Sequence, residues 1–282
     1  MIKLIASDMD GTLLDSRHKI SEENIKAIKK AQQLGVHFTI ITGRDYNSVK
    51  PFVENLGLNC EYIVLSGAEY RNKDGEIIFS ISMDKNKAKR IMVVMNKEGL
   101  DFEVFTNNGV YTSNKESYEK RISDVIKVNK LDISLEEVLK YKKIFESVEE
   151  IKNIDEFIKT NINIYRICTF DKSVEIIEKV KNELEIIEGL AVSGTFFNDI
   201  EVNDSEAQKG LILAKVIEKM GIKRDEVIVL GDSFNDYSLF TEFENSFAME
   251  NAIPEIKAVA KNITDSNENS GVAKAIYKAL NI

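Results

Sequence analysis

The sequence predicts an α/β fold built on a parallel sheet and interrupted by an inserted α+β domain. Three observations carry the prediction. Apolar runs of strand length alternate with helical patterns at the start of the chain, and the same alternation returns in the last third. Between the two, hairpin signals and charged helical stretches replace the βα rhythm.

In chain order, "IKLIAS", "HFTIIT" and "YIVLSG" read as strands, separated by helical patterns beginning near Ser21 and Asp45. Near-continuous apolar runs of this kind suit strands covered on both faces. "RNKDGEIIFSIS" follows, with Lys73-Asp74-Gly75 as a hairpin turn. From about Asp84 to Glu188 the chain reads as a helix ("KNKAKRIMVVMNKEG"), a hairpin turning at Asn107-Asn108-Gly109, charged helical stretches and the strand "NIYRICTF". The α/β pattern then resumes with the strand "DIEVN", the helix "QKGLILAKVIEKMG", the strand "EVIVLGD", a helix from Asn235, the short strand "SFAME" and a last helix from Ser270. The expected core is therefore 1–83 with 189–282, and the expected insert is 84–188. The linkers between them are expected near Ser82–Asp84 and Glu188–Ala191.

At 282 residues, 43% of them hydrophobic and 30% charged, the chain has the composition of an ordinary globular protein and the length of more than one domain. No apolar run approaches the roughly 18 residues of a membrane span. "MIKLIASDMD" turns acidic too early for a secretory signal, so the cytoplasm is the expected location. The net charge of −9 argues against nucleic acid as a partner, because phosphate backbones reward basic surfaces. Cys60 and Cys168 are far apart and form neither a disulfide framework nor a zinc motif. His18 and His37 complete no Ser-His-Asp or metal-histidine set, and His37 reads as a structural residue of its strand.

Chemistry concentrates where the strands give out. Asp8 and Asp10 follow the first apolar run, and residues two apart in a strand point to the same side. Asp232 and Asp236, in "GDSFND", repeat that position after "VIVL". Either pair alone also fits a helix cap or an Asx turn. Both pairs at matching strand ends would repel one another without a cation, which points to a hard divalent ion with oxygen ligands. Lys209 opens a helix, where a cation opposes the macrodipole, so pairing with the carboxylates or a phosphoryl group explains it better than solvation. Thr42, Gly43 and Arg44 supply a hydroxyl and a glycine-assisted amide at the next strand end, a setting that suits an anion. A carboxylate that attacks phosphorus, a neighbouring carboxylate that handles protons, and a metal ion, lysine and threonine that balance charge together make a phosphoryl-transfer site.

"DMDGT" (Asp8 to Thr12), Thr42 in "ITGR", Lys209 in "QKG" and "GDSFND" (Gly231 to Asp236), in that order, resemble the motifs of the haloacid dehalogenase superfamily of phosphatases. "LSGAEY", "AMENA" and "TDSNENSGVA" are similar to its Cof-type branch, and the resemblance covers essentially the whole chain. It implies a Rossmann-like core with an α+β cap that governs substrate specificity. It implies Asp8 as nucleophile, Asp10 as general acid and base, and magnesium held by the side chains of Asp8 and Asp232 and the Asp10 carbonyl, with Asp236 either a further ligand or a partner that holds the ligands in place. Thr42, the Gly43 amide and Lys209 would hold phosphoryl oxygens, and Asn235 would contact the phosphate or orient Lys209. The implied substrate is a small phosphorylated metabolite, a sugar phosphate first, handled by a monomer or homodimer.

The chain departs from the branch at Ser66, where Asn is usual, at Gln208, where a small residue is usual, and at Leu239, where Met is frequent. A phosphomutase is the alternative enzyme, since a related branch uses similar aspartates and a similar cap. A phosphoaspartyl receiver has these residue types in another order and about half the length. Intact Asp8, Asp10, Lys209 and Asp232 argue against a retired binding protein.

Overall fold

The computed structural model describes residues 1–128, 147–194 and 197–282, and the side chains of the helix ending at Val128 only as far as Arg121. The chain divides into two units, Met1–Ile81 with Ser205–Ile282, and Ser82–Asp204.

The first unit begins with β1 (Leu4–Ser7), α1 (Glu22–Gln33), β2 (His37–Ile41), α2 (Tyr46–Val53) and β3 (Cys60–Val64), the predicted βαβαβ. Ser21 caps α1 by accepting from the Asn24 amide, and Asp45 caps α2 by accepting from the Asn47 and Ser48 amides. The buried stripe Asn24, Ala27, Ile28 and Ala31 follows helical spacing and turns one side of α1 inward. A hairpin of β4 (Glu69–Arg71) and β5 (Ile77–Ser80) completes this half, its turn held by the Asn72 side chain accepting from the Asp74 and Glu76 amides.

After Ser205 come α7 (Lys209–Met220), β12 (Val227–Gly231), α8 (Tyr237–Glu242), β13 (Ser246–Ala248), α9 (Pro254–Val259), β14 (Asn262–Ile263) and α10 (Gly271–Leu280). The strands form one eight-stranded sheet in the order β14-β13-β12-β1-β2-β3-β4-β5, parallel from β14 to β3 and antiparallel in the last two. Successive strands build outward from β1 in one direction, and the chain later returns to its other side. The order therefore reverses between β1 and β12, where an open parallel sheet leaves a crevice at its carboxyl edge.

The second unit contains α3 (Lys85–Lys97), β6 (Phe102–Thr106), β7 (Gly109–Thr112), α4 (Lys115–Val128), β8 (Glu149–Glu150), α5 (Ile154–Lys159), β9 (Ile164–Phe170), α6 (Val174–Glu185), β10 (Leu190–Ser193) and β11 (Asp199–Asp204). The charged helical stretches expected between the hairpin and "NIYRICTF" include α4, and the part of them on 129–146 lies outside the described residues. Among the described residues the unit has a six-stranded sheet, β10-β11-β9-β6-β7-β8. Its core is its own, with Ile91, Met95, Phe102, Val104, Ile167, Val180 and Val202 among the buried residues.

One expectation is corrected here. "DIEVN" does not resume the parallel core: as β11 it pairs antiparallel with β9, and β10 pairs with β11. The second boundary therefore falls between Asp204 and Ser205, not at 189, and Glu188–Ala191 runs into β10 rather than forming a linker. Strand periodicity is the same in either sheet, so only the pairing partner separates the two readings. His37 lies in β2 as expected, half-exposed at its first position. Both cysteines are free, Cys60 buried and Cys168 partly so.

One contact sets α7 against the sheet. Gly67 has φ +106°, and a Cβ built there would lie 2.7 Å from the Gln208 carbonyl carbon, immediately before Lys209. Gly67→Ala is therefore expected to cost about 2–4 kcal/mol, combining backbone strain with a clash against main chain that cannot rotate away. Urea unfolding checks this; a loss under about 1 kcal/mol would mean that α7 shifts freely.

Candidate active site

The carboxyl edge of the core sheet gathers the predicted residues. Asp8 follows β1 and Asp232 follows β12, adjacent parallel strands on either side of the reversal point. Thr42 follows β2, and Ser66 lies just beyond β3.

At the centre is Lys209, the first residue of α7 and fully buried. Its Nζ donates to Asp8 Oδ1 at 2.6 Å, to Asp236 Oδ1 at 2.6 Å and to Asn235 Oδ1 at 3.2 Å. An ammonium has three protons, so these three acceptors occupy its donor capacity. Asp236 turns its other oxygen to the backbone, accepting from the Asp232 amide at 2.9 Å and the Ser233 amide at 3.2 Å. Thr12 donates to Asp232 Oδ1 at 2.7 Å. Gly11 makes that approach possible, because a Cβ there would overlap the Asp232 carboxylate.

Asp8, Asp232 and Asp236 each present a carboxylate oxygen within 4.8 Å of the others. Burial, then the charge of Asp236, push the Asp8 carboxyl well above its ordinary range against the opposing pull of Lys209. Burial and Asp236 raise Asp232 to about 7. Burial alone would lower Lys209, but Asp236 and Asp8 outweigh it and hold the ammonium charged far above neutral pH. One ammonium against three carboxylates leaves the cluster short of positive charge. All the donors are oxygens, so the cluster fits a hard divalent cation such as magnesium.

Asp10 stands apart from that cluster. Arg44 donates from Nε to Asp10 Oδ2 and from Nη2 to Asp10 Oδ1, both at 2.6 Å, a two-pronged pair. Thr42 and Gly43 precede Arg44 on the same loop, and the Arg44 amide donates to Thr42 Oγ1 at 3.1 Å. The predicted residues thus fall into two groups: Asp8, Lys209, Asn235, Asp236 and Asp232 in one, and Asp10 with Thr42 and Gly43 in the other, joined there by Arg44.

Sequence reasoning missed two participants. Arg44 appeared only as the end of "TGR", and Thr12 only as the end of "DMDGT". The structure makes them the partners of Asp10 and Asp232. It also accounts for the third strand-end loop: Leu65 and Ser66 have φ +53° and +56°. Asn adopts that left-handed region more readily than other non-glycine residues, which explains in backbone terms why Asn is usual where Ser66 stands.

The chain is similar to known proteins over nearly its whole length. A family profile described as haloacid dehalogenase-like hydrolase matches residues 5–276. Phosphatase YwpJ of Bacillus subtilis (strain 168) is 30% identical over 278 residues, covering 96% of this chain and 98% of its own. The 5-amino-6-(5-phospho-D-ribitylamino)uracil phosphatase YwtE of the same organism is 30% identical over 284 residues, covering 99% of this chain and 98% of its own. A solved haloacid dehalogenase-like hydrolase from B. subtilis superposes with a TM-score of 0.84 at 28% identity, covering 98% of this chain and 99% of that one. Among the described residues no helix is long and apolar enough to cross a membrane.

Lys209→Met tests the electrostatic account. An acid whose folded-state pKa is raised contributes stability at low pH that is lost as pH rises through the raised value. Removing the ammonium pushes Asp8 and Asp232 higher still, so in metal-free buffer the variant's deficit against wild type should grow from pH 5 to pH 8, reaching about 3 kcal/mol. Urea titrations at the two pH values measure it; a deficit that does not depend on pH would show that Lys209 acts through packing alone.

Proposed function

The chain belongs to the haloacid dehalogenase-like hydrolase family and is a phosphoric monoester hydrolase, and from that premise we propose a magnesium-dependent phosphatase that cleaves small phosphorylated metabolites through an aspartyl phosphate on Asp8. The observation that carries the reading is the Lys209 ammonium bridging Asp8 and Asp236 at the carboxyl edge of the sheet, with Asp232 within reach. Buried carboxylates held this close serve a cation and an anionic substrate better than they serve stability.

In this reading Asp8 attacks phosphorus and Asp10 protonates the leaving oxygen; Asp10 then takes a proton from the water that releases phosphate. Asp8, Asp232 and Asp236, with the Asp10 carbonyl, would hold the magnesium ion, which when bound supplies positive charge to the phosphoryl oxygens. The Thr42 hydroxyl, the Gly43 amide and Lys209 hold those oxygens in place. With all three protons of Lys209 committed, its contact with phosphate replaces one of them, and the 3.2 Å bond to Asn235 is the longest of the three. Asn235 acts by orienting the ammonium until then.

For the substrate we propose sugar and sugar-alcohol phosphates. The substrate in YwtE's name carries its phosphate on a ribityl chain, a primary phosphate of a polyol, and that relative aligns with nearly the whole chain. The second unit, Ser82–Asp204, is the proposed cap that selects the leaving group.

The direct test is phosphate release from a panel of sugar phosphates, sugar-alcohol phosphates, nucleotides and phosphorylated cofactors, with magnesium or EDTA, by wild type and Asp8→Asn. Release should need magnesium and should fall by at least about 10³-fold in the variant at unchanged Tm. A folded, magnesium-loaded protein that releases nothing would favour the phosphomutase reading instead.

A second test does not depend on turnover. Magnesium at about a hundredfold its Kd should add about 2.7 kcal/mol of stability, and Asp232→Asn should abolish most of that gain. Equal gains in both proteins would remove Asp232 from the metal site.

A further inference from the structure

We infer that Arg44 is a positioning residue for the second half of the reaction: it holds the Asp10 carboxylate where that group receives a proton from the attacking water. The inference rests on the assignment of Asp8 and Asp10 proposed above.

Asp10 is placed poorly by its own surroundings. It lies on the turn between Asp8 and Gly11, and its side chain is 39% exposed. A carboxylate with that freedom samples several rotamers, yet proton transfer needs it within hydrogen-bond reach of one water. The Arg44 fork removes the freedom, because two parallel N–H···O bonds fix both the position and the plane of the carboxylate. An ionised carboxylate has about four lone-pair sites, and the fork uses two, which leaves acceptor capacity for water. His18 Nδ1, at 4.0 Å from Asp10 Oδ1, is beyond hydrogen-bond distance.

Arg44 is itself held from several sides. Its amide donates to Thr42 Oγ1, its carbonyl accepts from the Leu65 amide at 2.9 Å, and its guanidinium stands 4.9 Å from the centre of the Phe52 ring. The side chain is only 26% exposed. The turn that delivers the Leu65 amide keeps two successive non-glycine residues, Leu65 and Ser66, in the left-handed region. Such backbone persists only where its surroundings over-determine it, and it clusters at functional sites. A partly exposed ion pair contributes little to stability, so stability alone gives this construction little purpose.

The step balances as follows. The water oxygen forms a bond to phosphorus, and the phosphorus–oxygen bond to Asp8 breaks, its electron pair returning to the Asp8 carboxylate. The water proton passes to Asp10, and inorganic phosphate leaves. Formation of the phosphoenzyme from a substrate with a good leaving group needs no proton donor, so it does not need Arg44.

Stopped-flow kinetics with p-nitrophenyl phosphate and magnesium separates the two halves, with acid quench to count covalent phosphate. Arg44→Ala should form the phosphoenzyme within about twofold of the wild-type rate. It should then turn over at least about tenfold more slowly, with a burst near one nitrophenolate per active site and a larger phosphorylated fraction. Arg44→Lys keeps the charge without the fork and should give a smaller slowing with the same burst. Wild-type kinetics in both variants, or equal slowing of both phases, would overturn the inference. Turnover by Asp8→Asn, run in parallel, would instead overturn the assignment beneath it.

Discussion

The site depends on one buried ammonium. Asp8 and Asp236 come from different segments and both turn an oxygen inward to the same point, where Lys209 meets each at 2.6 Å. Without a cation there, two carboxylates removed from water would repel each other or take up protons. Lys209 stands at the first turn of α7, where the helix dipole disfavours a cation, so its place is set by the carboxylates rather than by the helix. The close packing of Gly67 on Gln208 brings the start of α7 to the sheet edge. The reversal of strand order between β1 and β12 leaves room for Asp8 and Asp232 to face one space.

A second arrangement surrounds the first. The Arg44 loop after β2 fixes Asp10, and the left-handed pair Leu65–Ser66 after β3 fixes the Arg44 loop through the Leu65 and Ser66 amides. The loop residue that holds the proposed proton carrier and the lysine that balances the proposed nucleophile come from different segments, the loop after β2 and the first turn of α7. The division of labour is consistent with phosphoryl transfer, in which, beyond the attacking carboxylate, the protein's contribution is position and charge.

The sequence made these motifs legible because each is a local departure from its setting. Carboxylates directly after apolar strands, a lysine at a helix start and a glycine-assisted hydroxyl at a strand end all stand out from propensity alone. Their mutual contacts were not legible. Lys209 could have paired with any acid at that edge, and Arg44 in "TGR" gave no sign of choosing Asp10, because partner choice is decided by loop geometry that residue types do not encode. The same limit explains the boundary at Asp204. β11 alternates as any half-buried strand does, and only its antiparallel register with β9 assigns it to the second unit. The helix starts at Ser21 and Asp45 were readable because caps act within their own turn.

Fold and charge both lead to Asp8, so the covalent intermediate is the central claim. The most direct measurement is a rapid acid quench of wild type turning over a sugar phosphate with magnesium, followed by peptide mass spectrometry. The account predicts one phosphoryl group per labelled chain, on the peptide that carries Asp8, released by hydroxylamine as an acyl phosphate is. Steady turnover with no label, or label on another residue, would contradict it.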